Sequence, residues 1–293
     1  MKRTFHVTGS EGFVGRALCR ALESDGHTVL RFSTSLGHDV LRAGSLLELA
    51  HASKKMPDTV IHLAAKSFVP DSWKDPKSFE LVNVEGTRQV IGSCLAMNAR
   101  LLYMSSYVYG RPRYLPIDEL HPVEAFNPYA QSKIHAEEVV TTSPGLEYTI
   151  VRPFNIYGPG QDPRFIVAQI IRDYFAESEV VVQSLKPKRD YLYIDDFIDG
   201  LRVLLGRPFN CEIHNFGFGT SYSVNELIES LMQAVGKKVN FRSLEVYREN
   251  EVMDVVSSCR LTVAGLWSPT VSLSEGIKRC LALVTGEAGR SSL

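Results

Sequence analysis

Residues 4–15 read "TFHVTGSEGFVG", and this stretch decides the fold. A short β-prone run ends in a turn with glycines at 9, 12 and 15, and a helix-length amphipathic segment (13–24) follows at once. Glycine at these places permits a tight turn and lets the backbone approach a pyrophosphate, which then rests on the helix N-terminus. Gly9, Gly12 and Gly15, with Phe13 and Val14 between the last two, are therefore candidate dinucleotide contacts. A purely structural glycine turn is the competing reading, and the strand–turn–helix setting disfavours it.

Working outward, the strand-like runs "HTVLRF" (27–32), "TVIHLAA" (59–65), "RLLYMSS" (100–106) and "EYTIVRPF" (147–154) alternate with helix-length segments near 77–98 and from Tyr129 onward. Repeated β–α alternation implies an α/β protein with a doubly wound parallel (Rossmann) sheet. After "NIYGPGQDP" (155–163) the regularity fades into helical pieces (164–176, 223–235, 273–283) and short strands (180–183, 239–244). The expected organisation is a dinucleotide-binding domain of residues 1–158 plus about 189–216, since "RDYLYIDDFIDGLRVLL" (189–205) reads as strand then helix. A smaller C-terminal α/β substrate lobe takes about 159–188 plus 217–285, and 286–293 form a disordered tail.

The composition narrows the function classes. With 32 basic and 33 acidic residues the net charge is −1, so nucleic-acid binding has no electrostatic footprint. Five scattered cysteines without a CxxC pair argue against disulfides and a zinc site, and no metal is expected. No apolar run approaches the roughly 20 residues that span a bilayer. The strand beginning at Thr4 leaves no room for a signal peptide, so a cytoplasmic protein without a membrane partner is expected.

The adenine-ribose end carries a different signal. An NAD-binding sheet usually ends its second strand in an acid that holds the ribose hydroxyls. Here that position falls near Ser33, and no Asp or Glu lies between Gly26 and His38. Ser33 with Arg31, Arg16 or Arg42 suits a 2′-phosphate, which leans the cofactor, NAD(P), towards NADP; Asp39 and Val40 fall at the adenine edge. Further on, "NPYAQSK" puts Tyr129 and Lys133 four apart on one helical face. A nearby ammonium favours the phenolate, which would let Tyr129 exchange a proton with a substrate hydroxyl.

With these pieces in place the sequence resembles the extended short-chain dehydrogenase/reductases that act on nucleotide sugars. The ordered segments "TGSEGFVG", "HLAAKSFVPDSWKDP", "VNVEGT", "MSSYVYG", "NPYAQSK", "RPFNIYGPGQ", "RDYLYIDD" and "NFGFGTSYSVNEL" carry the resemblance. It implies a catalytic Ser105–Tyr129–Lys133 triad, Ser105 lying five residues before Gly110. It implies cofactor contacts from Leu63, Ala64, Ala65, Pro153, Phe154, Tyr129 and Lys133, and substrate contacts from Ser67, Ser106, Tyr107 and Asn155. Arg189 and Arg248 would neutralise the nucleotide-sugar pyrophosphate, with Gln183 and Asn215 as further contacts. It also implies a homodimer built on a four-helix bundle of segments 77–98 and 129–142.

The residues after Ser105 decide the reaction expected. Sugar dehydratases of this kind carry an acidic pair there, because water elimination needs a base and an acid. This chain has Ser106 and Tyr107 instead. That leaves a nucleotide-sugar epimerase working by reversible oxidation at sugar C4, placed first, an NADPH-dependent reductase of 4-keto-6-deoxy GDP-sugars, and a dinucleotide-binding protein without turnover.

Overall fold

A computed structural model describes residues 2–176, 179–247 and 251–284. Arg248 and the tail expected at 286–293 lie outside them. The chain runs β1 (Thr4–Thr8), α1 (Phe13–Ser24), β2 (Thr28–Phe32), α2 (Ser45–Ser53), β3 (Thr59–His62), α3 (Val69–Lys74), α4 (Pro76–Glu80), α5 (Gly86–Met97), β4 (Arg100–Met104), α6 (Pro128–Thr141) and β5 (Tyr148–Pro153). It continues through β6 (Asn155–Tyr157), α7 (Ile166–Phe175), β7 (Val180–Val182), β8 (Lys188–Tyr193), α8 (Ile194–Leu205), β9 (Glu212–Phe216), β10 (Ser221–Ser223), α9 (Val224–Val235), β11 (Phe241–Ser243), α10 (Arg260–Val263) and α11 (Leu273–Val284).

Two compact units result: residues 1–111, 119–153 and 201–215, and residues 112–118, 154–200 and 216–293. The first is built on a six-stranded sheet of order β2-β1-β3-β4-β5-β9. The β1 strand pairs in parallel with β2 and β3, β3 with β4, and β4 with β5, as the alternating pattern predicts. The order reverses between β1 and β3, and in open sheets of this type ligands bind outside the carboxyl ends of the strands at such a point. On one face Phe32, Val60, Leu101, Tyr103 and Ile150 of the strands bury against Leu46, Val90, Cys94, Ala136 and Val140 of α2, α5 and α6. Each of the Val, Leu, Ile and Phe side chains among them is worth about 1.5–3 kcal/mol of burial.

The helix expected over 77–98 is interrupted. A π turn at Leu81–Glu85 separates α4 from α5. Its centre, Asn83, is buried, with Oδ1 accepting from the Lys66 N–H (2.8 Å) and Nδ2 donating to the Lys66 carbonyl (3.0 Å) and to Ser132 Oγ (2.9 Å). The wider turn fits such an inward polar anchor, and π turns are often found at functional sites. The α6 helix starts cleanly because Asn127 Oδ1 accepts from the Ala130 N–H (2.7 Å) and Pro128 occupies the first helical position.

The second unit contains two small sheets, β10-β8-β6 and β11-β7. The strand expected to return to the first domain, β8, pairs instead with β6 and β10. Its Asp190 explains the anchoring: the fully buried carboxylate accepts from the N–H groups of Phe218 (2.6 Å), Gly219 (2.9 Å) and Ser257 (3.0 Å) and from Ser257 Oγ (2.6 Å). The return to the large sheet comes at β9. Among the described residues, no helix is long and apolar enough to cross a membrane.

Candidate active site and dinucleotide turn

The glycine turn is as tight as its sequence demands. Gly9 adopts φ +67°, and a Cβ there would sit 2.8 Å from the Ala64 nitrogen. A Cβ on Gly15 would sit 2.1 Å from the Gly9 carbonyl oxygen, which already accepts from the Gly12 N–H at 3.0 Å. Gly12 caps α1 without any side-chain hydrogen bond, and the first turn of the helix carries no acid. Amides at Phe13, Val14 and Gly15 therefore open a helix N-terminus suited to an anion. Thr8 Oγ1 accepts from the N–H groups of Leu63 and Ala64 (3.2 Å each), which holds the "LAA" segment against the turn. The residues present fit a dinucleotide diphosphate: the cradle is one that any side chain would fill.

At the end of β2 the expected phosphate partners are otherwise engaged. Ser33 Oγ meets Ser35 Oγ at 3.1 Å. Arg31 makes a two-pronged pair with Glu23 (3.1 and 2.9 Å) and reaches Glu11 at 3.2 Å. Arg42 pairs with Glu48 (2.7 Å), and Arg16 donates to the Glu11 carbonyl. Asp39 is exposed and turned onto the Leu41 N–H (2.9 Å). The Val40 side chain belongs to the core, beside Gly86, and not to an exposed adenine edge.

Tyr129 and Lys133 project from α6 as their spacing predicts, but their electrostatics differ from the expectation. Burial pushes the Tyr129 phenol up to about 12, a hydrogen bond with Ser106 pulling the other way. Burial also brings Lys133 down to about 7, opposed by Glu137 one turn on. The desolvation of two groups on one buried helix face outweighs the attraction that was expected to lower the phenol. Lys133 Nζ donates to the Met104 carbonyl (2.7 Å) and lies 4.6 Å from the centroid of the Tyr103 ring. Ser106, rather than Ser105, meets the tyrosine. Ser105 is 2% exposed, its Oγ has no hydrogen-bond partner among the described residues, and its N–H donates to the Val151 carbonyl (2.8 Å). A buried hydroxyl without a protein partner is one that a ligand can satisfy. Tyr107 is half-buried near the same phenol, Ala65 is half-buried, Ser67 is exposed and Pro153 is buried at the end of β5.

Two buried polar chains that single-residue motifs do not announce support this face. In the first, Thr8 Oγ1 meets His62 Nδ1 (2.7 Å), His62 Nε2 meets Thr87 Oγ1 (3.1 Å), and Thr87 donates to the Asn83 carbonyl (2.6 Å). Asn83 continues to Ser132, whose hydroxyl donates to the Tyr129 carbonyl at 2.8 Å. Burial, with Lys133 nearby, lowers the His62 pKa to about 3. In the second, Glu137 takes two hydrogen bonds from Arg152 (2.9 and 2.5 Å), and Arg152 donates to the Tyr109 hydroxyl (3.1 Å), which donates in turn to Asn215 Oδ1 (2.5 Å). Asn215, expected at a nucleotide, is fully buried here, with Glu119 accepting from its N–H (2.9 Å). The family segment "VNVEGT" was the only signal for Asn83 and Thr87, and nothing local marked Glu137.

In the second unit, Arg189 is paired with Glu251 (2.6 Å) and donates to the carbonyls of Lys188 and Val252 (2.8 and 2.7 Å). Asn155 Nδ2 donates to the Asp190 carbonyl (3.3 Å), Gln183 is exposed, and the Phe154 N–H donates to the Phe216 carbonyl (2.7 Å).

A glycine cradle at the β1–α1 turn, a sheet that reverses beside it and a tyrosine–lysine pair on α6 define an NAD(P)-dependent enzyme of the extended short-chain dehydrogenase/reductase type. Residues 5–217 match the model of the NAD dependent epimerase/dehydratase family, and the chain belongs to that family. It is 28% identical to a putative UDP-glucose 4-epimerase of Methanocaldococcus jannaschii over 93% of this chain and 95% of the other. It is equally 28% identical to a GDP-6-deoxy-D-mannose reductase of Pseudomonas aeruginosa, over 96% of this chain and 97% of that one. The structure of RMD from Pseudomonas aeruginosa complexed with NADPH superimposes with a TM-score of 0.84 at 29% identity, covering 96% of this chain and 98% of its own.

Proposed function

We propose that the protein is a nucleotide-sugar epimerase acting by reversible oxidation at sugar C4. The observation that carries this is the absence of a carboxylate after Ser105: Ser106 and Tyr107, the two residues near the Tyr129 phenol, stand where elimination chemistry would need carboxylates. A bound oxidised dinucleotide supplies a hydride acceptor. The chain's own part is to hold the sugar and move one proton at the Tyr129 hydroxyl. Ser105, buried and with no hydrogen-bond partner for its hydroxyl among the described residues, would hydrogen-bond the sugar hydroxyl. Ser106 holds the phenol in orientation, and Lys133 would hold the nicotinamide ribose from the same helix face. Arg189, released from Glu251, would neutralise the pyrophosphate, with Asn155 and Gln183 assisting. Reduction of a 4-keto sugar is the second reading, supported by the similarity to the GDP-6-deoxy-D-mannose reductase.

Incubation with nucleotide sugars and added NAD(P)H separates the two. Interconversion of C4 epimers without net cofactor change supports the epimerase, and stoichiometric NAD(P)H consumption with a 4-keto sugar overturns it. Tyr129→Phe should abolish turnover while leaving dinucleotide affinity within about twofold, since only the hydroxyl is removed. Full activity in that variant would remove Tyr129 from the chemistry.

A further inference from the structure

The acid that normally ends the second strand is missing here, yet a carboxylate stands beside that position. Ser10 N–H donates to the Phe32 carbonyl (3.2 Å), which binds the glycine turn to the last residue of β2. Residue 11 of the turn is thereby brought alongside residue 33, where the adenosine ribose of a dinucleotide lies in sheets of this type. Glu11 is 30% exposed, takes the Ser10 hydroxyl at 3.3 Å and pairs with Arg31 Nη1 at 3.2 Å. Arg31 cannot swing away freely, because Glu23 of α1 holds its other edge through two hydrogen bonds.

We infer that Glu11 is the residue that reads the 2′ position of the adenosine ribose, favouring the hydroxyl of NAD(H) over the phosphate of NADP(H). The inference rests on the dinucleotide reading of the turn. A carboxylate accepts a hydrogen bond from a ribose 2′-hydroxyl. A 2′-phosphate brings close to two negative charges at neutral pH and must either sit against Glu11 or displace it from Arg31. Arg31, the cation nearest in sequence to Ser33, thus works here as a tether for Glu11 and not as a phosphate receptor. The absence of an acid in β2 is answered from the turn, across the sheet edge.

The test is direct binding. Dissociation constants of NADH and NADPH are measured by fluorescence titration at low and at high salt, for the unsubstituted chain and for Glu11→Gln and Glu11→Lys, with thermal melting as a check that each variant is folded. The unsubstituted chain should prefer NADH. Glu11→Gln should shift the NADPH/NADH ratio of dissociation constants towards NADPH by about three- to tenfold, the size expected of a partly exposed charge interaction. Glu11→Lys should shift it further, and high salt should shrink the differences. An initial preference for NADPH, or an unchanged ratio in both folded variants, overturns the inference while leaving the dinucleotide reading intact. Binding of neither dinucleotide by the unsubstituted chain overturns both.

Discussion

Lys133 offers the sharpest perturbation. It is 2% exposed, and its Nζ is held by the Met104 carbonyl at 2.7 Å. Burial takes its pKa from 10.5 down to about 7. Between those two values the unfolded chain carries a proton at this position that the folded chain has released, so stability rises with pH across the window. Below the lower value both states are charged and the folded protein bears the whole cost of a buried ammonium. At about 1.4 kcal/mol per tenfold, that cost is at most ~5 kcal/mol. Lys133→Met keeps most of the volume, removes the charge and gives up one hydrogen bond worth about 1 kcal/mol. The variant should therefore be more stable than the unsubstituted chain at pH 6, by on the order of 2–4 kcal/mol. The gap should close by about 2–3 kcal/mol on going to pH 9. Urea denaturation of the dinucleotide-free protein at several pH values reads this directly. Parallel pH curves for the two chains, or a variant already weaker at pH 6, would refute the argument that desolvation dominates this site.

Three more outcomes follow from the same structure. Glu137→Ala strands the buried Arg152 guanidinium and should cost about 3–5 kcal/mol in denaturation, whereas Glu137→Leu combined with Arg152→Leu should come close to neutral. Gly15→Ala places a methyl 2.1 Å from the Gly9 oxygen. It should lower stability by about 1–3 kcal/mol and weaken dinucleotide binding, measured by melting and titration. His6 and His62 are held neutral down to about 4 and about 3 by burial. The unfolded chain takes up protons near 6.5 that the folded chain refuses, so stability should fall as pH drops from 6.5 to 4; His6→Phe should flatten that slope by up to about 3 kcal/mol.

What could be read in advance was local. The glycine turn and the Tyr129–Lys133 pair depend on spacings of three and four residues, and the sheet follows from the alternation that carries them. Two adjacent hydroxyls, by contrast, give a sequence no means of telling which one meets the tyrosine; the structure gives Ser106 that contact and leaves the Ser105 hydroxyl without a partner among the described residues. Arg31 looked available for a phosphate because its captors are 8 and 20 residues away on other elements. The direction of the Tyr129 shift was likewise out of reach, since desolvation is a property of the packed unit and not of the helix. The π turn depends on Asn83 finding the backbone of Lys66, 17 residues distant.

The hydrogen-bond chain through His62 has a polarity. Thr8 Oγ1 receives two backbone N–H groups, so its own proton goes to His62 Nδ1; the Nε2 proton goes to Thr87, and the Thr87 proton to the Asn83 carbonyl. Each link is assigned by its neighbours, and only one arrangement of protons satisfies them all. A second proton on the ring would point at an oxygen already facing two donors. The imidazole is therefore an insulator between the glycine turn and α6. It fixes distances across the sheet and passes no charge along that line, which ends on the backbone carbonyl of Tyr129 and not on its hydroxyl.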